Sequence, residues 1–339
     1  MLPRLRSVLR NTEKGELKMK KLVRGELYWT VVAVVLLALL AGSVSKEAAQ
    51  PTTLAAATEA SPRTVVEPVN LGSVINTNLR QAEVSFTADG KTMYFNCQLR
   101  PGRAGNDICV SRLIGTLEDG RWTTPEIVAP GVISLTDTFD VEPLISADGK
   151  TLYFQSDRPG GHGGGDIWYS ENLDGVWQSP KNLGPPFNSP FNDHCLFFSA
   201  DGNEAFWTST RPGGFGGNDI WTSRKVDGVW QPAVNLGPNV NSSYSDHHSI
   251  PSPDGKSLYV TSDRPAGFGG EDIYVTTRDH TGAWGPLVNL GPLVNTDKDD
   301  RCPAFTPDFR IFLFDSERAG GYGSKDLWWV YYDKIKHIR

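Results

Sequence analysis

Five positions near the start of a repeated segment carry side chains suited to metal binding or proton transfer. Each stands six residues before a recurring turn aspartate, and they are Glu83, Glu142, Cys195, His248 and Cys302. Thiolate, imidazole and carboxylate groups together form a donor set that suits a zinc-like ion. Metal binding by Cys195, His248 and Cys302 is therefore one expectation. A hydrated polar lining is the alternative, because the spacing matches no local metal motif.

Two neighbouring columns of the same repeat are also largely polar. The position before each of the five holds Ala82, Val141, His194, His247 and Arg301, and the one before that holds Gln81, Asp140, Asp193, Asp246 and Asp300. Side chains alternate across a strand, so the sequence leaves open which of the first two columns faces a channel. We predict a ligand site at a channel mouth from Glu83, Asp140, Glu142, Asp193, His194, Asp246, His247, His248, Asp300 and Arg301.

These columns recur because the chain repeats one cassette five times. In the second copy it reads S-A-D-G-K-T-L-Y-F-Q-S-D-R-P-G-G-H-G-G-G-D-I-W-Y-S, from Ser146 to Ser170. The turn aspartates stand 53 to 59 residues apart, at Asp89, Asp148, Asp201, Asp254 and Asp308. An Asp-Gly pair between two strand-like runs predicts a β-hairpin. A third strand after the Gly-rich loop and a second Asp-Gly turn before tryptophan complete a four-stranded antiparallel unit.

Repeated four-stranded units of this length are typical of β-propeller blades. The last copy stops after its third strand, Asp326 to Val330, whereas Thr64 to Gly72 matches the fourth-strand text of other copies. An N-terminal strand that completes the last blade would close the ring and protect the sheet edges. We therefore predict an all-β fold, a five-bladed β-propeller of four-stranded antiparallel blades, over residues 63–333.

The repeated text S-x-D-G-K-x-L-Y-F-x-S-D-R-P-G-G-x-G-G-x-D-I-W, with G-x-W-x-x-P-x-N-L-G between copies, resembles the WD40-like propeller repeat of Tol-type periplasmic proteins. The resemblance covers about residues 64 to 333. It implies an exported bacterial β-propeller that binds a protein or another component of the cell envelope.

Residues that are constant among the copies are expected to hold the fold together. An arginine and an aspartate recur eight residues apart, as Arg158 and Asp166, Arg211 and Asp219, Arg264 and Asp272, and Arg318 and Asp326. A catalytic pair is not needed once in every blade. We predict that the aspartate accepts N–H groups of the Gly-rich loop and that the arginine pairs with it or braces the next blade.

The four cysteines divide into two pairs. Cys97 and Cys109 lie on consecutive strands of the first copy, which makes them candidates for a disulfide in an oxidising compartment. Cys195 and Cys302 come from blades that are not adjacent, so a disulfide between them is not expected.

The N-terminal region indicates export. An uncharged apolar run from Trp29 to Ala41 follows Lys20, Lys21 and Arg24. We predict a basic N-terminus with a signal peptide, or alternatively an uncleaved signal anchor, over residues 1–45, and a flexible linker over 46–62. Residues 334–339 are expected to form a basic tail. The location would be the periplasm, or the membrane with the propeller facing the periplasm or exterior.

Three functional classes remain open at this point. The first is a monomeric, non-enzymatic binding module for an envelope protein, peptide or glycan, without a cofactor and touching the membrane only through its N-terminal segment. The second is a glycan-acting enzyme in which Glu83, Glu142, Asp140 and Asp193 supply acid, base and orienting carboxylates. The third is a metal-binding structural propeller. Nucleic acid is not an expected partner, because the net charge is -6 and the basic residues cluster at the chain ends.

Overall fold

The computed structural model of the protein describes residues 67–99 and 107–338. This part of the chain forms strands with two 3-10 helices, Leu117–Asp119 and Tyr332–Lys334. The strands are β1 Val69–Asn70, β2 Gln81–Phe86, β3 Thr92–Cys97, β4 Asp107–Arg112, β5 Glu126–Ile127, β6 Asp140–Ile145, β7 Thr151–Ser156, β8 Asp166–Leu173, β9 Val176–Trp177, β10 Lys181–Asn182, β11 Asp193–Phe198, β12 Glu204–Ser209, β13 Asp219–Val226, β14 Val229–Trp230, β15 Val234–Asn235, β16 Asp246–Pro251, β17 Ser257–Ser262, β18 Asp272–Thr277, β19 Val288–Asn289, β20 Asp300–Phe305, β21 Ile311–Ser316 and β22 Asp326–Tyr331.

The strands form five antiparallel sheets, one for each copy of the cassette. In each sheet the first three strands of the copy are neighbours in order, and the short strands after them pair with the third. The first strands of successive copies, β2, β6, β11, β16 and β20, contact one another around the ring, and β20 closes it against β2. The predicted all-β, five-bladed propeller is therefore confirmed, and these five are its inner strands.

The ring is closed by the N-terminal strand. Strand β1 pairs antiparallel with β22, with Val69 opposite Trp329 and Asn70 opposite Trp328. The Asn70 side-chain amide also donates to Asp326 at 2.9 Å. This is the closure that the incomplete last copy predicts. Chain ends more than 250 residues apart thus share one blade.

The packed body extends beyond the predicted boundary at residue 333. Ile335 is fully buried in the apolar cluster that contains Phe312 and Phe314, and Ile338 packs against the same cluster. Two apolar side chains of the segment expected to form a basic tail thus contact the propeller core. The predicted signal segment and linker lie outside the described residues. Within the described ranges, no helix is long and apolar enough to span a membrane.

The turns and the aromatic core follow from the cassette. Gly149 takes a φ of 70°, which glycine tolerates without strain, and Asp148 accepts the backbone N–H of Lys150 at 3.1 Å. Between blades, Trp177 packs edge-on against Tyr94, and Trp284 packs edge-on against Phe206. Large aromatic side chains from adjacent blades thus fill the space between sheets.

The repeated arginines have a different partner from the predicted one. Arg158 Nη2 donates to Asp140 Oδ1 at 2.7 Å, and its Nε donates to Ser156 Oγ at 2.9 Å. The same pairing joins Arg211 to Asp193, Arg264 to Asp246 and Arg318 to Asp300. Each arginine thus pairs with the inner-strand aspartate of its own copy. Its guanidinium also donates to a backbone carbonyl of the segment that links the preceding blade to its own, as Arg158 Nη2 does to Ile133 at 2.7 Å.

The loop aspartates bind backbone instead. Their Oδ2 atoms accept the N–H group of the residue four positions earlier: His162 for Asp166, Phe215 for Asp219, Phe268 for Asp272 and Tyr322 for Asp326. Each carboxylate thus folds its Gly-rich loop into a tight turn. In the first copy, Arg100 lies outside the described residues.

Candidate functional site

The inner strands carry a β-bulge at the same position in every blade. Pairing with the second strand is interrupted just after Ala82, Val141, His194, His247 and Arg301. The residue at each interruption has a positive φ, namely Glu83 at 51°, Glu142 at 57°, Cys195 at 54°, His248 at 46° and Cys302 at 52°. Left-handed backbone costs a non-glycine residue about 1–2 kcal/mol. Bulges re-aim side chains, and such strain persists mainly where the surrounding structure requires it.

The bulge residues meet in one cavity on the ring axis. All five line a space of about 330 Å³, part of which is open to solvent. Its apolar wall comes from the next residues along the inner strands, among them Val84, Pro143, Leu196 and Pro303. The channel therefore receives the Glu/Cys/His column, which settles the choice that strand alternation left open.

A positively charged histidine stands between two carboxylates in this cavity. His248 Nε2 lies 3.3 Å from Glu142 Oε1 and 3.6 Å from Glu83 Oε1. Burial alone would lower the pKa of His248, but hydrogen bonds and charge from the two glutamates raise it to about 10. Burial would raise the pKa of Glu142, but His194 and His248 hold it well below its ordinary value. At the cavity centre the His248 ring thus lies between the side chains of Glu142 and Glu83.

The second predicted column lies behind the first and supports it. His194 Nδ1 is 3.1 Å from Glu142 Oε1, and its Nε2 is 3.3 Å from the Asn218 side-chain oxygen. His247 Nδ1 contacts His248 Nδ1, while its Nε2 is 2.7 Å from Glu271 Oε1. These residues line no channel surface of their own. They contact three channel residues, Glu142 and Cys195 through His194 and His248 through His247, and so fix their orientation.

Glu271 ends this hydrogen-bonded row, and sequence reasoning missed it. Arg301 Nη1 donates to Glu271 Oε2 at 2.5 Å. Burial would raise the pKa of Glu271, but the hydrogen bond from His247 and the charge of Arg301 lower it to about 2. Burial lowers the pKa of His247 despite its bond to Glu271. A neutral His247 that donates to Glu271 and accepts from His248 satisfies all three groups. Glu271 precedes a constant loop aspartate, and only its acidic side chain marks it in the sequence, since the other copies have Asn, Gly, Asn and Lys at this position.

The inner-strand aspartates predicted as ligand candidates are placed elsewhere. Asp140, Asp193, Asp246 and Asp300 are fully buried and paired with the repeated arginines. Their second oxygens bind the preceding loop, as Asp193 Oδ2 does with the Ser189 hydroxyl at 2.7 Å. We therefore leave these four residues out of the candidate site.

The cysteines are arranged as two different kinds of site. Cys97 and Cys109 form a disulfide between β3 and β4. Cys195 and Cys302 are free and buried in the cavity wall. Burial raises the pKa of both free thiols well above the ordinary value, and the charges of Glu142 beside Cys195 and of Asp315 beside Cys302 add to the effect.

Two groups of channel residues have a geometry that could hold a metal ion. One is Glu83, His248 and Cys302, and the other is Glu142, Cys195 and His248. Within each group the three donor atoms lie within 4.8 Å of one another. Both groups contain His248, which makes it the central residue of the cavity.

Exposed aromatic side chains surround the channel mouth, which we define as the end where the inner strands begin. We call Phe191, Phe215, Tyr244, Phe268 and Tyr322 the aromatic crown, and each is 43 to 52% exposed. Phe215, Phe268 and Tyr322 sit in Gly-rich loops, and Phe191 and Tyr244 stand two residues before an inner strand. In three copies the sequence has an aromatic residue between two glycines, which could have indicated the crown. We interpreted those loops as structural and did not use this signal.

The Gly-rich loops touch the segments that lie just before the inner strands. This contact places the crown at the channel mouth. A Cβ at Gly216 would lie 1.9 Å from the Tyr244 carbonyl oxygen, and one at Gly323 would lie 2.0 Å from that of Leu79. In the four Gly-rich loops that the structure describes, a glycine thus lies against the backbone just ahead of the next blade's inner strand. His248 follows Tyr244 by four residues, so the crown and the channel cluster belong to the same face.

No known protein family matches the chain, and no curated protein is significantly similar to it. Several solved structures are similar in fold. TolB from Acinetobacter baumannii is 16% identical, with a TM-score of 0.46 over 76% of this chain and 56% of TolB. A putative TolB from Agrobacterium tumefaciens is 18% identical, with a TM-score of 0.39 over 78% of this chain and 96% of that one. An α-L-arabinofuranosidase from Podospora anserina, solved with cellotriose, is 14% identical, with a TM-score of 0.47 over 78% and 93%.

The five sheets and the repeated cassette define the class of protein, a five-bladed β-propeller. The solved structures of similar fold include a TolB and a putative TolB. The chain spans 56% of the length of the Acinetobacter TolB.

Proposed function

We propose that this propeller is an exported binding module of the cell envelope that recognises a protein, peptide or glycan at the channel mouth. The aromatic crown carries the proposal. Five large rings stand about half exposed on one face, where burial in a core would otherwise be expected. Exposed aromatic groups of this kind are enriched in binding surfaces, because a flat ring offers a large contact area at little entropic cost.

The loops that carry the crown suit recognition. The Asp219 and Asp272 carboxylates hold the N–H groups of Phe215 and Phe268, which ties each ring's backbone to a strand. Loop residues held in this way lose little freedom when a partner binds. The crown is therefore a pre-formed surface.

The channel carboxylates support binding rather than glycoside hydrolysis. A general acid must keep its proton near neutral pH, yet the histidines around Glu142 hold its pKa well below the ordinary value. Two of the other three candidates, Asp140 and Asp193, form ion pairs with arginines. Of the four carboxylates considered for catalysis, these three are thus committed to structural contacts.

Two observations support an exported, self-contained propeller. The disulfide between Cys97 and Cys109 is the kind of bond that persists in oxidising compartments. The pairing of β1 with β22 supplies the short outer strand of the last blade from the same chain, so this blade is completed without a strand from a second subunit.

A capture experiment with matched variants tests the proposed function. The crown variant carries Phe215→Ala and Phe268→Ala, and the control carries Val176→Ala and Val229→Ala. The two valines are 63 and 64% exposed on the outer strands β9 and β14. Immobilised full chain is incubated with envelope extract, and bound protein and glycan are quantified by mass spectrometry. Treating the extract with protease first separates a glycan ligand from a protein one.

We expect the crown variant to retain at most about a tenth of the wild-type capture, since removal of a central aromatic anchor commonly costs more than about 1.4 kcal/mol. The control variant should capture as the wild type does. Equal capture by the crown variant and the wild type would show that this face does not bind the partner.

A further inference from the structure

Donor atoms from three adjacent blades converge at one point of the channel. His248 Nε2 lies 3.6 Å from Glu83 Oε1, and Cys302 Sγ lies 4.0 Å from the same oxygen. Ligand atoms around one tetrahedral zinc ion, bound at about 2.0–2.3 Å, stand about 3.4–3.6 Å apart. These two separations match those around a single ion within a few tenths of an ångström, and the third pair, His248 Nε2 and Cys302 Sγ, lies within 4.8 Å.

From this geometry we infer a binding site for one zinc-class divalent ion, held by His248 Nε2, a Glu83 carboxylate oxygen and the Cys302 thiolate. A donor set of imidazole, carboxylate and thiolate favours zinc or cobalt, whereas calcium and magnesium require mostly oxygen ligands. Binding releases two protons to solvent, one from the Cys302 thiol and one from Nε2 of the His248 imidazolium, whose lone pair then binds the ion. The inference is independent of the partner that the crown recognises.

The residues behind His248 hold its ring in the way that a metal-binding histidine is usually held. A histidine that binds a metal through one ring nitrogen usually has its other nitrogen fixed by a hydrogen bond. Here His248 Nδ1 contacts His247 Nδ1, and His247 is held by Glu271 at 2.7 Å, which Arg301 holds in turn. This row points Nε2 into the channel, and an ion would occupy the position of the Nε2 proton.

The backbone of all three ligands is held in the same uncommon conformation. Glu83, His248 and Cys302 have φ values of 51°, 46° and 52° at their bulges. In an ordinary strand, successive side chains point to opposite faces of the sheet, and this alternation alone would set the direction of these three. The bulge in each blade directs them toward the axis instead, and a bound ligand is one reason for such strain to be retained.

The second group, Glu142 and Cys195 with His248, is less suited to the ion. Cys195 Sγ already lies 3.0 Å from His194 Nδ1, and Glu142 accepts the Cys195 N–H at 2.5 Å. A cation there would have to displace these bonds. Because both groups need His248, we expect one ion per chain, bound by the group that contains Cys302.

The test uses full-length protein with its disulfide intact, stripped with chelator and titrated with Zn²⁺ or Co²⁺ alone. Calorimetry and elemental analysis measure stoichiometry, and absorption of the Co²⁺ form reports thiolate ligation. The variants are His248→Ala, Cys302→Ser and Cys195→Ser, with exposed His280→Ala as the matched control for loss of a histidine. Cys302→Ser nearly preserves side-chain shape, so it tests the assignment even if His248→Ala fails to fold.

We expect one ion per wild-type chain, a thiolate-to-cobalt band, and loss of both in Cys302→Ser and His248→Ala. His280→Ala and Cys195→Ser should bind as the wild type does. His247→Ala, which removes the supporting contact, should weaken affinity by about 10–100-fold. No stoichiometric binding by the wild type, or unchanged binding by Cys302→Ser, would overturn the inference. Loss in Cys195→Ser alone would overturn the choice of ligands. None of these outcomes bears on capture by the crown.

Discussion

Removing one buried arginine tests whether the repeated arginine–aspartate pairs hold the blades together. Arg211 Nη2 donates to Asp193 Oδ1 at 2.7 Å, its Nε donates to Ser209 Oγ at 2.8 Å, and its Nη1 donates to the Pro186 carbonyl at 3.0 Å. Asp193 is fully buried. Arg211→Met keeps most of the apolar stem and removes the guanidinium. The change leaves a buried carboxylate without its cation.

The expected cost follows from that unpaired charge. Removing one partner of a buried ion pair costs about 3–5 kcal/mol. For a protein of this size, each kcal/mol lowers Tm by about 2 °C, so the predicted loss is about 6–10 °C. Arg224 provides the matched control, because its side chain is 65% exposed and its Nε lies 3.5 Å from Glu204 Oε1. An exposed pair contributes about 0–1 kcal/mol, so Arg224→Met should lower Tm by less than about 2 °C.

Differential scanning calorimetry at neutral pH measures both variants beside the wild type. The double variant Arg211→Met, Asp193→Asn removes both charges and should recover part of the loss, because the penalty comes from the unpaired carboxylate. Equal shifts in Arg211→Met and Arg224→Met would refute the argument. A double variant less stable than Arg211→Met would also contradict it.

Three further predictions concern other parts of the molecule. Gly216→Ala should cost about 1–3 kcal/mol, since its Cβ would lie 1.9 Å from the Tyr244 carbonyl oxygen. Gly217→Ala, with nothing within 4 Å, should change stability by less than about 0.5 kcal/mol, and equal denaturation midpoints would contradict this contrast. The pKa of Glu271 is about 2 in the fold against an ordinary 4.5, so its charge stabilises the protein above pH 4.5 and this stability is lost as pH falls toward 2. Glu271→Gln should reduce the pH dependence of the unfolding free energy between pH 4.5 and pH 2. The same pH dependence in the variant and the wild type would contradict this prediction. Replacing Cys97 and Cys109 by serine, which opens a loop with a sequence separation of 12, should cost about 3 kcal/mol, and a reductant should then have no further effect on Tm.

Most of the fold could be predicted because its signals are local and repeated. The Asp148-Gly149 turn and the alternating strand after it specify a hairpin within a few residues. The incomplete last copy and the matching segment at Thr64 to Gly72 predicted the pairing of β1 with β22. The partner of each arginine could not be found in this way, because Arg158 reaches back 18 residues to Asp140 across the sheet.

The candidate site was predicted only in part. The sequence singled out Glu83, Glu142 and His248 as positions where the copies differ, and the structure brings them together in the channel. Nothing in the sequence indicated that Asp140 and Asp193 are buried in ion pairs. An aspartate at a strand end has the same sequence context whether it binds a ligand or pairs with an arginine. Glu271 was missed because it lies in a loop and reaches the channel residues through His247 and Arg301 rather than directly.

The sequence by itself determined the blade, the number of blades and the closure of the ring, because turns, strand alternation and repetition are properties of neighbouring residues. Tertiary structure decided which column lines the channel. A bulge with positive φ turns each side chain inward, and simple alternation does not specify it. Ring closure then places Cys302 beside Glu83, 219 residues away in the chain. The channel chemistry therefore depends on the assembled ring, since no single blade contains its three converging groups.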